Sequence, residues 1–249
     1  MIVGEQKPLD EIKQSLGDAE KVLVAGCGTC VTVCLAGGEK EAQLLSSALR
    51  VASRVDGAPR EVTDHTVQRQ CEWEYLDEIA AAVGRVDAVV SLACGIGVQA
   101  MAKYFPDSWV VPGLNTTFLG LPEAQGVWTE QCQACGNCVL ATTGGICPIA
   151  RCSKQLQNGP CGGSENGLCE VKRVKRDQGV PVLVDGPRGR KVPATEDVDC
   201  AWHQIHERLK QTSRLEQIMG YEPPKDWSTS RDGGPRRIVR EDLLLLDEE

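Results

Sequence analysis

The sequence predicts an α/β protein, with an N-terminal Rossmann-like parallel-sheet domain followed by a cysteine-rich, metal-stabilised domain that ends in a helix and an extended tail. Three observations predict it. Between residues 21 and 111, short β-branched runs alternate with helical periodicity, the order that builds a parallel sheet with crossover helices. After Gln125 that periodicity stops, and glycine, cysteine and turn residues take over. Eight of the thirteen cysteines then fall between Cys132 and Cys200. The expected divisions are 1–124 for the α/β domain, 125–219 for the cysteine-rich domain and 220–249 for the tail.

Each element has a local reason. Leu9, Ile12 and Leu16 recur at helical spacing, with Pro8 suited to the first turn and Gly17 to the stop, so a short helix is expected over 9–16. Residues 21–25 read as a buried strand entering the Gly26-Cys27-Gly28-Thr29-Cys30 loop, and 39–52 as the helix after it. The order repeats with a strand over 60–64, a helix over 73–83, a strand over 87–93 broken at Cys94-Gly95-Ile96-Gly97, and a helix over 98–104. A strand over 109–111 stops at Pro112-Gly113. The next periodic segment is a helix over 201–219, with Trp202, Ile205, Leu209 and Leu215 facing inward and Glu207, Arg208 and Lys210 facing water. The stretch between is too poor in periodic apolar residues to build its own core, so metal cross-links are expected to supply what burial cannot. In the tail, Leu243 to Leu246 stand between acidic residues and are expected to lie across a partner subunit.

Composition narrows the function. With 249 residues, 41% of them hydrophobic, the chain can bury a core, and its net charge of -8 argues against nucleic acid as the main partner. The basic run Lys172, Arg173, Lys175 and Arg176 reads as a solvated loop. No stretch of about 18 apolar residues and no leader pattern occurs, so no membrane span and a cytoplasmic location are expected. In that reducing compartment clustered cysteines serve metals or catalysis rather than disulfides. A nucleophile elbow, a Walker loop and an H-E-x-x-H pair are all missing from the sequence, which points to electron conduction rather than hydrolysis.

The cysteines fall into three sets. Cys27, Cys30 and Cys34 form C-x2-C-x3-C at a strand-to-helix turn, where backbone N-H groups and the helix dipole stabilise thiolates. Cys94 follows another parallel strand and Cys71 precedes a helix, so five cysteines compete for four places around a cluster. Cys27, Cys30, Cys71 and Cys94 are preferred because three separate loops close a cage, although the sequence leaves the choice between Cys34 and Cys71 open. The strings Gly26-x-Gly28 and Gly95-x-Gly97-x-x-Ala100 imitate parts of a dinucleotide fingerprint but lack its acidic partner, and read as tight turns that bring N-H donors to sulfur.

Cys132, Cys135 and Cys138 with Cys147-Pro148 make a ferredoxin-like quartet, except that eight residues separate the last two cysteines. Cys152, Cys161, Cys169 and Cys200 remain as a further quartet, suited to a second cluster or to a closed tetrahedral zinc site; interleaving of the two quartets is an alternative. His203 and His206 read as ordinary helix residues. The expected cofactors are two or three [4Fe-4S] clusters, with zinc in place of one as an option. A thiol-dependent redox enzyme using Cys27 and Cys30 as a dithiol is a further alternative.

The Gly26-Cys27-Gly28-Thr29-Cys30 loop, Gln70-Cys71-Glu72, the run from Cys132 through Gly144-Gly145-Ile146-Cys147-Pro148, and above all Asn158-Gly159-Pro160-Cys161-Gly162-Gly163 with Gly167-Leu168-Cys169-Glu170 resemble the methylenetetrahydrofolate reductase C-terminal family. The resemblance spans about residues 26–210. It implies the small iron-sulfur subunit of a complex in which a separate TIM-barrel subunit binds the folate and an FMN and reduces methylenetetrahydrofolate to methyltetrahydrofolate in the Wood-Ljungdahl pathway. This chain, which lacks the eight strand-helix repeats of such a barrel, would take electrons from a donor protein and pass them to that partner. A zinc-stabilised scaffold that docks the catalytic subunit without carrying electrons is the alternative.

Overall fold

The structure, a computed structural model, describes residues 1–177 and 180–224; the expected placement of the tail lies outside them. The chain divides into two compact units, Met1–Cys135 and the remainder from Gly136.

The first unit is built on a four-stranded sheet. Its strands are β2 (Lys21–Cys27), β3 (Glu61–Val67), β4 (Ala88–Ser91) and β5 (Trp109–Pro112), in the order β3-β2-β4-β5 and all parallel. Side chains alternate along β2, so Val22 and Val24 enter one core while Leu23 and Ala25 enter the other. The first core is closed by α1 (Leu9–Leu16) through Ile12 and Leu16, and by α3 (Glu39–Val55) through Ala42 and Leu49. The second is closed by α4 (Trp73–Asp77), α5 (Ala80–Val83) and α6 (Gly95–Tyr104) through Leu76, Val83 and Met101. Helices on both faces explain why the central strands read as continuous apolar runs.

Two features differ from expectation. The helix expected over 73–83 is two short helices, because the Ile79 N-H bonds to Leu76 O, three residues back, which tightens the chain between them. β5 ends at Pro112, where the strand was expected to stop, but a further strand that was not expected begins at Leu114. β1 (Ile2–Gln6), β6 (Leu114–Ala124) and β7 (Val127–Cys132) form a separate antiparallel sheet in the order β1-β6-β7. Gly126, at φ +79°, makes the turn of its hairpin, and Gly120 leaves room for the Thr129 carbonyl, which a Cβ would meet at 2.3 Å. This hairpin lies within the first compact unit, Met1–Cys135.

The second unit has little regular structure. A one-turn helix α7 (Pro148–Arg151) and three two-stranded ribbons precede α8 (Ala201–Gln211). Its apolar cluster is small, with Cys200, Trp202, Ile205 and Leu209 buried beside Ile146, Leu156 and Ile218. The long helix expected over 201–219 breaks near Ser213, which sits at φ +55°, and resumes as a 3-10 turn. Leu215, expected inside, is 38% exposed as a result. The basic run is solvated and paired, Lys172 with Asp197 at 2.7 Å and Arg173 with Glu196 at 3.3 Å.

Candidate functional site

Three neighbouring parallel strands lead into cysteines. β2 ends at Cys27, and Cys30 opens α2 (Cys30–Val33). The chain leaving β3 reaches Cys71 just ahead of α4, and Cys94 is the N-cap of α6 after β4. Because the strands are parallel, these residues collect at the carboxyl edge of the sheet. The strand order reverses between β2 and β4, the position at which open α/β sheets form a crevice for ligands. Cys71 is exposed as a residue, yet desolvation of its sulfur raises the thiol pKa first of all, and the Cys27 and Cys94 sulfurs, with Glu72, raise it further. A thiolate forming beside other sulfurs is electrostatically disfavoured.

Cys34 is placed differently. It is buried in the core; its sulfur accepts the Gly4 N-H of β1 at 3.5 Å and stands 3.7 Å and 3.6 Å from the carbonyls of Gly4 and Val31. It behaves as a small hydrophobe with a weak polar handle.

Backbone contacts pin the loops of the sheet edge. The Cys27 N-H donates to Gly37 O at 2.8 Å, Gly28 N-H to Val67 O at 2.9 Å, and the Thr32 hydroxyl to Cys27 O at 2.8 Å. The two glycine strings serve close packing. A Cβ on Gly26 would meet Thr66 Oγ1 at 2.2 Å, and one on Gly97 would meet Ala93 Cβ at 2.6 Å. Gln70, read from the sequence only as part of the Gln70-Cys71-Glu72 motif, and Ser91, not singled out there, are fully buried polar residues beneath this edge. The Gln70 amide donates to Ala25 O at 2.8 Å and Gly26 O at 3.0 Å, and accepts the Ser91 hydroxyl at 2.6 Å. The signals in the sequence were the place of Gln70 beside Cys71 and its part in the Gln70-Cys71-Glu72 motif.

In the second unit, Cys152, Cys161, Cys169 and Cys200 line one pocket, together with Lys154 and Glu170. Cys152 ends α7 and Cys200 is the N-cap of α8. Cys169 is delivered by a two-residue hairpin turn, Asn166 at φ +50° and Gly167 at φ +81°, with Glu165 and Leu168 exchanging both backbone hydrogen bonds. Asn-Gly is the residue pair best suited to two successive left-handed positions. The Cys169 N-H then bonds to Val198 O and the Cys200 N-H to Gly167 O, each at 2.8 Å, lacing the turn to the chain ahead of α8. The Trp202 ring N-H donates to Leu156 O at 2.8 Å and ties α8 to the loop between Cys152 and Cys161. Lys154 pairs with Glu170, whose carboxylate stands 3.5 Å from Cys161 Sγ. The ammonium holds Glu170 below the usual carboxylate range, and the Cys161 hydrogen bond adds to this.

Of the ferredoxin-like run, Cys132 ends β7 and Cys135 closes the first unit, while Cys138 and Cys147 belong to the second. The run turns through Ala134 at φ +50° and Gly136 at φ +86°, and the Ala134 N-H donates to Cys132 Sγ at 3.3 Å. Cys169 receives the same kind of contact from Val171 N-H at 3.4 Å. Among the described residues, no cysteine is joined in a disulfide. Among the described residues, no group of three or more Cys, His, Asp or Glu side chains is arranged as metal ligands. The thiols share an edge and a pocket wall rather than a coordination sphere. His203 and His206 are exposed on α8, as ordinary helix residues would be. No helix among the described residues is long and apolar enough to cross a membrane.

Comparison with curated proteins and with solved structures gives no match. Residues 111–178 match the model of a family described as "Methylene-tetrahydrofolate reductase C terminal". The matched stretch is just over a quarter of the chain, narrower than the resemblance read from the motifs. It includes seven cysteines from Cys132 to Cys169 and leaves out Cys200 and the whole sheet edge. Over those residues the chain is similar to a methylenetetrahydrofolate reductase-associated family.

Proposed function

We propose that the chain is the iron-sulfur, electron-transferring subunit of a methylenetetrahydrofolate reductase complex, the role of MetV-type small subunits in acetogenic bacteria. The observation that carries this reading is the sorting of cysteines by the fold. Cys27, Cys30, Cys71 and Cys94, drawn from three loops, collect at one sheet edge, and Cys152, Cys161, Cys169 and Cys200, far apart in sequence, line one pocket. The family match over residues 111–178 supports an association with methylenetetrahydrofolate reductase.

The donor chemistry fits such a group. Thiolates are soft ligands that select iron-sulfur clusters or zinc, and N-H contacts to Cys132 and Cys169 sulfur are of the kind that stabilise bound thiolates. A four-thiolate cluster supplies one-electron transfer. Cys27, Cys30, Cys71 and Cys94 would hold one at the sheet edge, with Cys34 left to the core. Cys132, Cys135, Cys138 and Cys147 would hold another, on their spacing alone. The folate and FMN belong to the TIM-barrel partner, and a separate donor protein supplies electrons.

A second reading is favoured by the pocket of the second unit. Four thiols walled by Pro160, Ala201 and Trp202 on an element-poor chain suit a closed structural zinc site, which would make that part of the subunit a scaffold. The deciding measurement is iron, zinc and acid-labile sulfide in the anaerobically purified chain, with its electron paramagnetic resonance spectrum after reduction. Iron and sulfide for at least two clusters, with reducible signals, is the expected result. Zinc without sulfide, before and after anaerobic reconstitution, would sink the relay and leave the scaffold.

A further inference from the structure

Gln70 touches all three segments that deliver the sheet-edge thiols. It immediately precedes Cys71. Its amide nitrogen donates to the carbonyls of Ala25 and Gly26, the two residues that lead β2 into Cys27. Its oxygen accepts the hydroxyl of Ser91, the last residue of β4, and Ser91 Oγ in turn accepts the N-H of Ala93, the residue before Cys94. The β2-β4 pairing ends at Ala25 opposite Ser91, so the network begins where the strand ladder between these two strands stops. Gly97 permits the closeness, since a Cβ there would stand 3.1 Å from Gln70 Cβ.

Gln70 and Ser91 are both wholly excluded from solvent. A buried amide is costly unless its polar groups are paired, and here the pairing is directional. A leucine of similar size would fill the space without specifying where the β2 end, the Cys71 loop and the β4 end must stand relative to one another.

We propose that Gln70, acting through Ser91, is the positioning residue of the sheet edge. It sets three loops in register so that Cys27, Cys71 and Cys94 are presented together to one soft metal or cluster. The proposal rests on the reading that these thiols hold such a group.

The test compares the full-length wild-type chain with Gln70→Leu and Ser91→Ala. The first readout needs no metal: metal-free protein is treated with a mild oxidant, and the disulfides formed by Cys71 with Cys27 or Cys94 are timed and mapped by peptide mass spectrometry. At unchanged far-ultraviolet circular dichroism, Gln70→Leu is expected to slow this trapping about tenfold, as loss of several buried hydrogen bonds would. Ser91→Ala, which removes one hydroxyl, is expected to slow it about threefold, and it carries the test if Gln70→Leu does not fold. The second readout is iron, sulfide and the paramagnetic signal after reconstitution, in which both variants are expected to lose occupancy at the sheet edge. Unchanged trapping in the folded variants overturns the proposal, as does a wild-type chain that traps Cys71 with neither partner. Normal wild-type trapping with no iron or zinc bound at the sheet edge overturns the metal reading instead, so the two failures are distinct.

Discussion

Cys34 and Cys71 show how surroundings assign different work to the same side chain. Cys34 is held in the core against Gly4, whereas Cys71 is exposed ahead of α4 at the sheet edge. Cys34→Ala is therefore expected to leave metal content unchanged and to cost about 1 to 2 kcal/mol of stability, read from a denaturant melt. Cys71→Ser should do the reverse, with iron or zinc lost at the sheet edge and a nearly unchanged melt; the opposite pattern would make Cys34 the ligand. Gly37 offers a check on the packing of the same loop, because a Cβ there would lie 1.9 Å from the Leu92 carbonyl oxygen. Gly37→Ala should destabilise the chain by about 1 to 3 kcal/mol, seen as a lower thermal midpoint.

Among the elements, the Asn166-Gly167 turn has the clearest consequence for the second pocket. It aligns Cys169 and Cys200 through backbone bonds that need both residues in left-handed conformations. Gly167→Ala meets two obstacles, a φ of +81° and the His203 ring at 2.9 Å. A cost of about 1 to 2 kcal/mol is expected from the backbone alone. Metal held by the second pocket should exchange faster with a chelator in this variant, while the sheet-edge thiols keep wild-type reactivity toward alkylating reagents. Equal chelator rates would mean that the turn does not set the geometry of the pocket. Asn158 acts in a similar local way, exchanging hydrogen bonds of 2.7 and 2.8 Å with the backbone of Glu222.

The two units of the molecule are stabilised differently. The first packs helices on both faces of a parallel sheet, so its two cores account for its order. Among its described residues the second buries one side of α8 with Val139 and Ile149 and little else, a small apolar surface to set against the ordering of its long loops. Removing metal with a chelator is expected to expose cleavage sites for a protease within 136–224 while a fragment close to 1–135 survives, and restoring metal should restore resistance. The same digestion pattern with and without metal would show that bound metal does not stabilise the second unit.

The alternation of β-branched runs with helical periodicity between residues 21 and 111 was enough to specify the parallel sheet, because local propensity and burial agree there. Cysteine spacing set Cys152, Cys161, Cys169 and Cys200 apart only as those left over from the ferredoxin-like run; that they line one pocket came from the fold. The antiparallel sheet was not legible: β1 pairs with β6 across more than a hundred residues, and nothing near Ile2 or Leu114 announces a partner so distant. Tertiary structure alone placed Cys34 against Gly4, left Cys71 exposed at the sheet edge, and revealed Gln70 beneath that edge. Those outcomes depend on which backbone groups a side chain from a distant segment can reach, and that is decided by how separate segments meet rather than by any window of sequence.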